Sequence, residues 1–91
     1  MTVFLPFSLG QLREFVAYKH QDLDSSAVTA VRYFVPERAL YIVFKGGRIY
    51  RYELVPPETF DGIIQANSAG KYINKFVLNK FKYSEVKSLP E

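Results

Sequence analysis

The stretch ALYIVFKGGRIYRYELVPP, residues 39–57, predicts a β-hairpin that leads directly into a helix. A nearly continuous apolar run is followed by two glycines and then by a run in which apolar and polar residues alternate, which is the pattern of two paired strands. A proline pair ends the stretch. Proline cannot donate a hydrogen bond to a sheet but is favoured at the first position of a helix, so the strand is expected to end where the helix begins.

The length of the glycine turn decides which side chains share a face of the hairpin. If the turn were only Gly46 and Gly47, Lys45 would face Arg48, and apolar and charged residues would be mixed on both faces. A three-residue turn that starts at Lys45 separates them. One face then carries Leu40, Ile42, Phe44, Tyr50, Tyr52 and Leu54, and the other carries Tyr41, Val43, Lys45, Ile49, Arg51 and Glu53. Burial of each aliphatic side chain is worth about 2 kcal/mol, so the three-residue turn is favoured and both tyrosines of the first face are expected in the core.

The sequence on either side of the hairpin predicts an α+β fold. Residues 27–35, AVTAVRYFV, are rich in β-branched and aromatic side chains and predict a strand that precedes the hairpin. Together the strands make a three-stranded antiparallel β-meander. Two helices are expected to follow, one from Pro57 and one over residues 71–81, with Gly70 as a left-handed cap between them.

Both ends of the chain carry weaker signals. Ser8 and Gln11 have the spacing of a capping box, which predicts an additional N-terminal helix over about residues 9–20. Near the other end, residues 81–86, FKYSEV, fit either a short edge strand or an extended tail. We therefore expect a single domain over residues 1–91, with an N-terminal helical extension (1–25), a core (26–83) and a tail (84–91).

The composition is that of one folded, non-membrane domain. A chain of 91 residues with a hydrophobic fraction of 48%, eight phenylalanines and seven tyrosines can bury one small core. The absence of cysteine excludes a disulfide framework, a thiolate metal site and a cysteine nucleophile, and it favours a cytoplasmic location. No run approaches the roughly 20 apolar residues of a membrane-spanning helix.

The basic residues are unevenly distributed along the chain, whose formal net charge is +3. Residues 32–51 hold five of them against one acid, and residues 62–84 hold four against none. A basic face would attract phosphates, and an exposed tyrosine beside it could stack on an unpaired base. The candidate nucleic-acid-binding residues are Arg32, Tyr41, Lys45, Arg48, Arg51, Lys71, Lys75, Lys80 and Lys82. The plainer alternative is a solvated basic surface, with Tyr41 covered by the N-terminal helix.

No catalytic apparatus or metal site is predicted. His20 is the only histidine, and at the expected helix end it would interact with the helix dipole. Asp22 and Asp24 could share a cation, but two carboxylates without further oxygen donors do not make a calcium loop. The two glycines of the hairpin do not precede a helix, so they do not form a phosphate-binding loop. The sequence thus indicates a protein that is not an enzyme and needs no cofactor.

Several short motifs occur in the order that is typical of one family. Leu40, Ile42 and Phe44 precede the glycine turn, a Y-x-Y motif follows at Tyr50-Arg51-Tyr52, then Val55-Pro56, and Ser68-Ala69-Gly70 with Asn74. In this order they resemble the KTSC domain, a short module found at the C-terminus of some lysyl-tRNA synthetases and as a stand-alone protein. The resemblance covers residues 26–83. It implies an α+β fold and, through the synthetase association, RNA binding.

A second hypothesis is a protein-interaction module. Tyr41, Val43 and Ile49 would then form an apolar patch for a partner protein or for a second copy of the chain. Such a small protein could serve as an adaptor or inhibitor, encoded by a bacterium or a phage. The two hypotheses differ in the salt dependence of binding, which is steep for phosphate contacts and weak for an apolar patch.

Overall fold

The computed structural model describes residues 18–90 as an α+β fold with one five-stranded antiparallel sheet and two helices. The strands are β1 (Tyr18–Asp22), β2 (Val28–Phe34), β3 (Ala39–Phe44), β4 (Ile49–Tyr52) and β5 (Tyr83–Val86). The helices are α1 (Pro57–Gln65) and α2 (Ala69–Phe76), and a single 3-10 turn, Val35–Glu37, joins β2 to β3. The sheet order is β1-β2-β3-β4-β5.

The β3–β4 hairpin has the predicted three-residue turn. Ile42 pairs with Tyr50, and the Phe44 N–H donates a hydrogen bond to the Arg48 carbonyl at 2.8 Å. Both glycines of the turn have a positive φ, 95° and 96°, which is a backbone conformation that residues with side chains disfavour. The glycines therefore allow the register that separates apolar from polar side chains.

One face of the sheet, here called the inner face, packs against the helices and forms the core. Leu40, Ile42 and Tyr52 are buried there, as predicted, and Tyr50 is half-buried against them. The other core side chains are Val28, Val31, Tyr33, Val55, Phe60, Ile63, Ala69, Ile73 and Val77. Leu54, predicted on the same face, is instead 73% exposed. Its φ of 54° takes the backbone out of the strand conformation, so the alternation ends at Tyr52.

Two predictions about the architecture were wrong. The predicted three-stranded meander corresponds to β2, β3 and β4, but β1 and β5 extend the sheet at its two edges. Residues 18–20, predicted as the end of the N-terminal helix, belong to β1, where His20 pairs with Arg32. The rest of that predicted helix lies outside the described residues. The side chains of β1 are mostly polar and exposed, so their pattern does not predict a strand. The segment is a strand because it pairs with β2.

The segment that leads from the sheet into α1 is tied to β2. The Tyr33 hydroxyl donates a buried hydrogen bond to the Val55 carbonyl at 2.5 Å, and the Val55 N–H donates to the Arg38 carbonyl at 2.8 Å. These two bonds satisfy both main-chain polar groups of Val55, which is completely buried. The start of α1 at Pro57 is therefore fixed relative to the sheet.

The connection between the helices differs from the prediction at one residue. We expected Gly70 to end the first helix, but α1 ends at Gln65, and Gly70 lies in the first turn of α2. Ser68 caps α2, since its hydroxyl accepts a hydrogen bond from the Lys71 N–H at 3.2 Å. The connection between the helices thus contains a serine cap at the start of α2, where we expected a glycine cap at the end of α1.

The two helices approach each other closely at Gly62. A Cβ atom at this position would lie 2.0 Å from the Tyr72 hydroxyl oxygen and 2.4 Å from the ring carbon that bears it. The Tyr72 ring in turn contacts the Phe76 ring, with centroids 4.6 Å apart. The packing of α2 on α1 therefore depends on the missing side chain of Gly62.

Candidate nucleic-acid interface

The predicted binding residues divide between two regions of the fold. On the face opposite the helices, here called the outer face, strand pairing aligns one residue from each strand in a row: His20, Arg32, Tyr41, Arg51 and Ser84. Three predicted residues belong to this row. The other six are Lys45, Arg48, Lys71, Lys75, Lys80 and Lys82, and they lie at the β3–β4 turn, on α2 and just before β5.

Arg51 is held by neighbouring side chains on the outer face. Its Nε donates to the Tyr41 hydroxyl at 3.1 Å, and one terminal nitrogen donates to the Glu37 carboxylate at 2.9 Å. A Glu53 carboxylate oxygen lies 3.7 Å from the other terminal nitrogen. The hydrogen bond to Tyr41, followed by the one to Glu37, raises the pKa of Arg51. A phosphate would have to compete with two carboxylates for this guanidinium group.

Arg32 is also engaged within the chain. Its Nε donates to His20 Nδ1 at 3.0 Å, and one terminal nitrogen donates to the carbonyl of Pro90. Because His20 accepts at Nδ1, its Nε2 carries the proton and donates to the Asp22 carboxylate at 2.9 Å. Both ring nitrogens of His20 therefore have partners, and the residue lies in a strand, so its predicted position at a helix end was wrong.

Tyr41 does not present a ring face for stacking. It is 8% exposed, and its hydroxyl is the acceptor for Arg51. Val43 and Ile49, which flank it on the outer face, are half-buried. Tyr41 is thus buried, and it supports the sheet and Arg51. The N-terminal helix that the plainer interpretation expected to cover it lies outside the described residues. The hypothesis that Tyr41 stacks on bases is not supported by this geometry.

The six remaining predicted residues form what we call the basic rim. All six are exposed: Lys45, Arg48, Lys71, Lys75, Lys80 and Lys82. Within residues 18–90, none of them has a carboxylate oxygen within 4.0 Å of a charged nitrogen. Arg51 and Lys19, in contrast, each form an ion pair with a carboxylate in this part of the chain. As far as residues 18–90 are concerned, a phosphate can therefore bind the rim without the loss of an ion pair.

The main chain brings two parts of the rim together. The Lys45 N–H donates to the Ala27 carbonyl at 2.9 Å. Gly70, in the first turn of α2, lies against the same residue, since a Cβ at Gly70 would be 3.3 Å from the Ala27 Cβ. The β3–β4 turn and the start of α2 therefore meet around Ala27. Lys71 and Lys75, four residues apart, lie on one side of α2.

A group of aromatic rings lies at the β4–β5 side of the inner face. We call Tyr50, Tyr52 and Tyr83 the tyrosine cluster. The Tyr83 ring stacks on Tyr50, with centroids 5.5 Å apart and planes 10° from parallel, and its centroid is 5.6 Å from that of Tyr52. Tyr52 is buried, whereas Tyr83 is 53% exposed. The cluster therefore extends from the core to the surface.

Burial affects the acidity of the innermost member of the cluster. Desolvation, together with the neighbouring phenols of Tyr50 and Tyr83, raises the pKa of Tyr52 to about 12. The phenol thus stays neutral well above the pH at which an ordinary tyrosine ionises. Tyr52 serves as a neutral core residue rather than as an acid or base.

Sequence reasoning missed Tyr83 as a candidate residue. It falls in the segment 81–86, for which a strand and a tail were both left open. The alternation of that segment was the available signal, because an edge strand beside β4 would place one of its aromatic residues next to the Y-x-Y motif. The pairing of Tyr83 with Tyr52 confirms the strand interpretation.

A surface depression of about 380 Å³ lies between the loop after β1 and the α1–α2 connection. Its lining is partly polar and includes Ser25, Asn67 and Ser68. The Ser25 hydroxyl accepts from the main-chain N–H groups of Ala27 and Val28, and the Ser68 hydroxyl caps α2. Both hydroxyls thus have structural roles in this loop and in this helix.

The described residues show neither a cluster of metal ligands nor a membrane-spanning helix. Across residues 18–90, no three histidine, aspartate or glutamate side chains come together in a way that could hold a metal ion. In the same range, neither helix is long and apolar enough to cross a membrane.

Comparison with known proteins finds the same domain in several bacteria. The model of the KTSC domain matches residues 24–81. A protein from Tsukamurella paurometabola is 40% identical over 62 residues, which are 68% of this chain and 92% of that protein. The crystal structure of a KTSC domain protein from Yersinia pestis matches with a TM-score of 0.70 and 27% identity, over 77% of this chain and 99% of that one.

Longer proteins contain a similar segment. The lysine–tRNA ligase of Nostoc punctiforme is 29% identical over 84 residues, which are 92% of this chain. The corresponding enzyme of Nostoc sp. strain PCC 7120 is 30% identical over the same length. In each case the match spans only 15% of the ligase.

Proposed function

This chain belongs to the KTSC domain family, and on that basis we propose that it is a small non-catalytic binding module for RNA, acting through the basic rim. The observation that carries the proposal is the rim itself, whose six exposed cations have no ion pair within residues 18–90. The proposal includes a cytoplasmic location and requires no cofactor. Arg32, Tyr41 and Arg51 are left out of the binding surface, because each is engaged on the outer face.

Electrostatics makes a nucleic acid the natural ligand for such a surface. A polyanion that meets unpaired cations releases its condensed counterions, which favours binding at low salt. For a single strand, each phosphate contact contributes about −0.7 to the slope of log affinity against log salt, so six contacts would give a slope of about −4. The similar segments in the Nostoc lysine–tRNA ligases make RNA the first nucleic acid to test, because those enzymes are named for an RNA.

The test is a fluorescence-anisotropy titration of the whole chain with short single-stranded RNA at two salt concentrations. Exchange of two rim lysines, K71Q with K75Q, should weaken binding and make the salt slope less negative by about 1.4. The matched control is K19Q, because Lys19 is exposed but its Nζ lies 3.9 Å from the Asp61 carboxylate. Affinity weaker than about millimolar at low salt, or an equal effect of K19Q, would contradict the proposal.

A protein-interaction module is the alternative, and it is favoured by exposed apolar side chains. Leu54 is largely exposed, and Phe76 is 45% exposed on α2. The patch first considered for this role, Tyr41 with Val43 and Ile49, is buried or half-buried and offers less surface. Under this alternative, binding of a partner protein or self-association should depend weakly on salt, and L54S should reduce it.

A further inference from the structure

Two aromatic residues are substantially exposed within residues 18–90, and their surroundings differ. The Phe76 ring has the Tyr72 ring 4.6 Å away and the Lys75 ammonium group 5.3 Å from its centroid. The Tyr83 ring contacts only other rings of the tyrosine cluster among the described aromatic and cationic groups. Of the two, Tyr83 is the better candidate for contact with an external ring.

The geometry of the tyrosine cluster leaves one side of Tyr83 open. The centroids of Tyr50 and Tyr52 are 5.5 and 5.6 Å from that of Tyr83 and 6.5 Å from each other. These distances define an acute angle at Tyr83, and β5 is an edge strand, so no further strand of the described residues lies beyond this ring. With half of its surface exposed, the ring has one supported side and one side toward solvent.

We propose that Tyr83 is a stacking platform for an unpaired RNA base. This inference rests on the proposed RNA-binding function and adds the residue that would contact a base. An aromatic ring stacks on any nucleobase, and a ring that is already oriented loses little freedom on binding. Two features fix the orientation of Tyr83, the pairing of β5 with β4 and the contact of its ring with Tyr50.

Cations lie close to the platform in the two strands that form it. Arg48, a member of the basic rim, precedes Tyr50 by two residues and so lies on the same side of β4, roughly 7 Å along the strand. Lys82 adjoins Tyr83 in sequence, and Lys87 follows Val86, the residue paired with Ile49. Arg48 and Lys87 would therefore place positive charge near one end of the platform, whereas Lys82, one residue before Tyr83, projects toward the outer face. The nearest acid in the strand is Glu85, which is opposite Tyr50.

The platform combines residues inside and just outside the segment that matches the family model. Tyr50 and Tyr52 lie within the segment that matches the KTSC domain, whereas Tyr83 lies two residues beyond its end. The supported side of the platform thus comes from the matched segment, and the exposed ring comes from the strand that follows that segment. The geometry points to a single-stranded RNA with at least one unstacked base as the ligand.

The experiment compares variants of Tyr83 in the same RNA titration. Y83L keeps an apolar side chain but removes the ring, and it should weaken binding roughly 5- to 150-fold with an unchanged salt slope, because no phosphate contact is lost. Y83F and Y83W keep a ring and should bind like the original chain. The chain has no tryptophan, so the fluorescence of Y83W reports on this position alone and should be quenched when RNA binds.

Controls separate the platform from the RNA-binding function. F76L removes the other exposed ring and should leave the affinity unchanged, and E85Q should strengthen binding because an acid near the phosphates is neutralised. If the original chain binds RNA but Y83L binds equally well, or if RNA leaves the Y83W fluorescence unchanged, the platform is wrong and the function stands. If the original chain does not bind RNA at all, both proposals are wrong.

Discussion

Arg51 on β4 donates a hydrogen bond from its Nε to the hydroxyl of Tyr41 on β3, at 3.1 Å across the outer face. Glu37 accepts a second bond from the same guanidinium group. R51Q should therefore lower the free energy of unfolding by about 1–2 kcal/mol, because hydrogen bonds to a partly buried charged group are lost. Urea unfolding of R51Q and R48Q checks this prediction. Arg48 is exposed in the turn, so R48Q should change stability by less than about 0.5 kcal/mol, and equal effects would contradict it.

The hydroxyl of Tyr33 should contribute measurably to stability. It donates to the buried Val55 carbonyl, and its removal in Y33F leaves that acceptor without this donor. The expected loss is about 1–2 kcal/mol in urea unfolding. Y52F is the matched control, because the Tyr52 hydroxyl makes no hydrogen bond to another side chain or main-chain group of residues 18–90. A loss in Y52F as large as in Y33F would show that the bond to Val55 is not the cause.

Alkaline pH should destabilise the chain through Tyr52. Its pKa is raised from 10.0 to about 12 in the folded state, so between these values the folded state keeps a proton that the unfolded state has lost. Stability is then fully present below about pH 10 and falls by up to about 1.4 kcal/mol per pH unit as the pH approaches 12. Urea unfolding at several pH values measures the slope.

The variant Y52F should reduce that slope. A smaller slope will remain, because burial also raises the pKa of Tyr33. The double variant Y33F with Y52F should flatten the profile further. A profile for Y52F that is as steep as that of the original chain would show that Tyr52 is not the group responsible.

The contact between Gly62 and Tyr72 predicts that the effect of G62A on stability changes sign when the Tyr72 ring is removed. G62A should destabilise the chain by about 1–3 kcal/mol, because the new Cβ displaces the Tyr72 ring from its place beside Phe76. In a Y72A background that obstacle is gone, and G62A should stabilise by up to about 1 kcal/mol through the higher helix propensity of alanine. Thermal or urea unfolding of the four chains of this cycle tests both signs. Additive effects would mean that the contact does not restrict the helix pair.

The sequence predicts the central part of the fold because residues close together in the chain determine its turns and its strand register. The glycine turn after Phe44 has few alternatives, and the burial energy of the flanking side chains selects one register. Pro57 likewise determines where α1 begins. In contrast, β1 is a strand only because β2 lies beside it, and no periodicity in residues 18–22 indicates that partner.

The surroundings of the predicted site residues could not be derived from the sequence where side chains far apart in the chain determine them. Arg51 was correctly placed on the outer face, but its contact with Glu37 depends on the 3-10 turn that follows β2. Tyr83 meets Tyr50 only because both helices return the chain to β4. Charge segregation drew attention to the basic residues that are exposed in the fold, whereas the engagement of Arg32 and the burial of Tyr41 follow only from the packed sheet.

The order of the strands has a consequence for synthesis of the chain. β1 to β4 are each joined to the next by a short connection, so these strands can pair as soon as residue 52 is available. β5 comes only after both helices, and until it docks, β4 is the edge of the sheet with unpaired main-chain groups. A chain truncated before Tyr83 would expose that edge permanently, together with the ring of Tyr50. We expect such a fragment to aggregate, with β5 acting in the complete chain as the strand that prevents it.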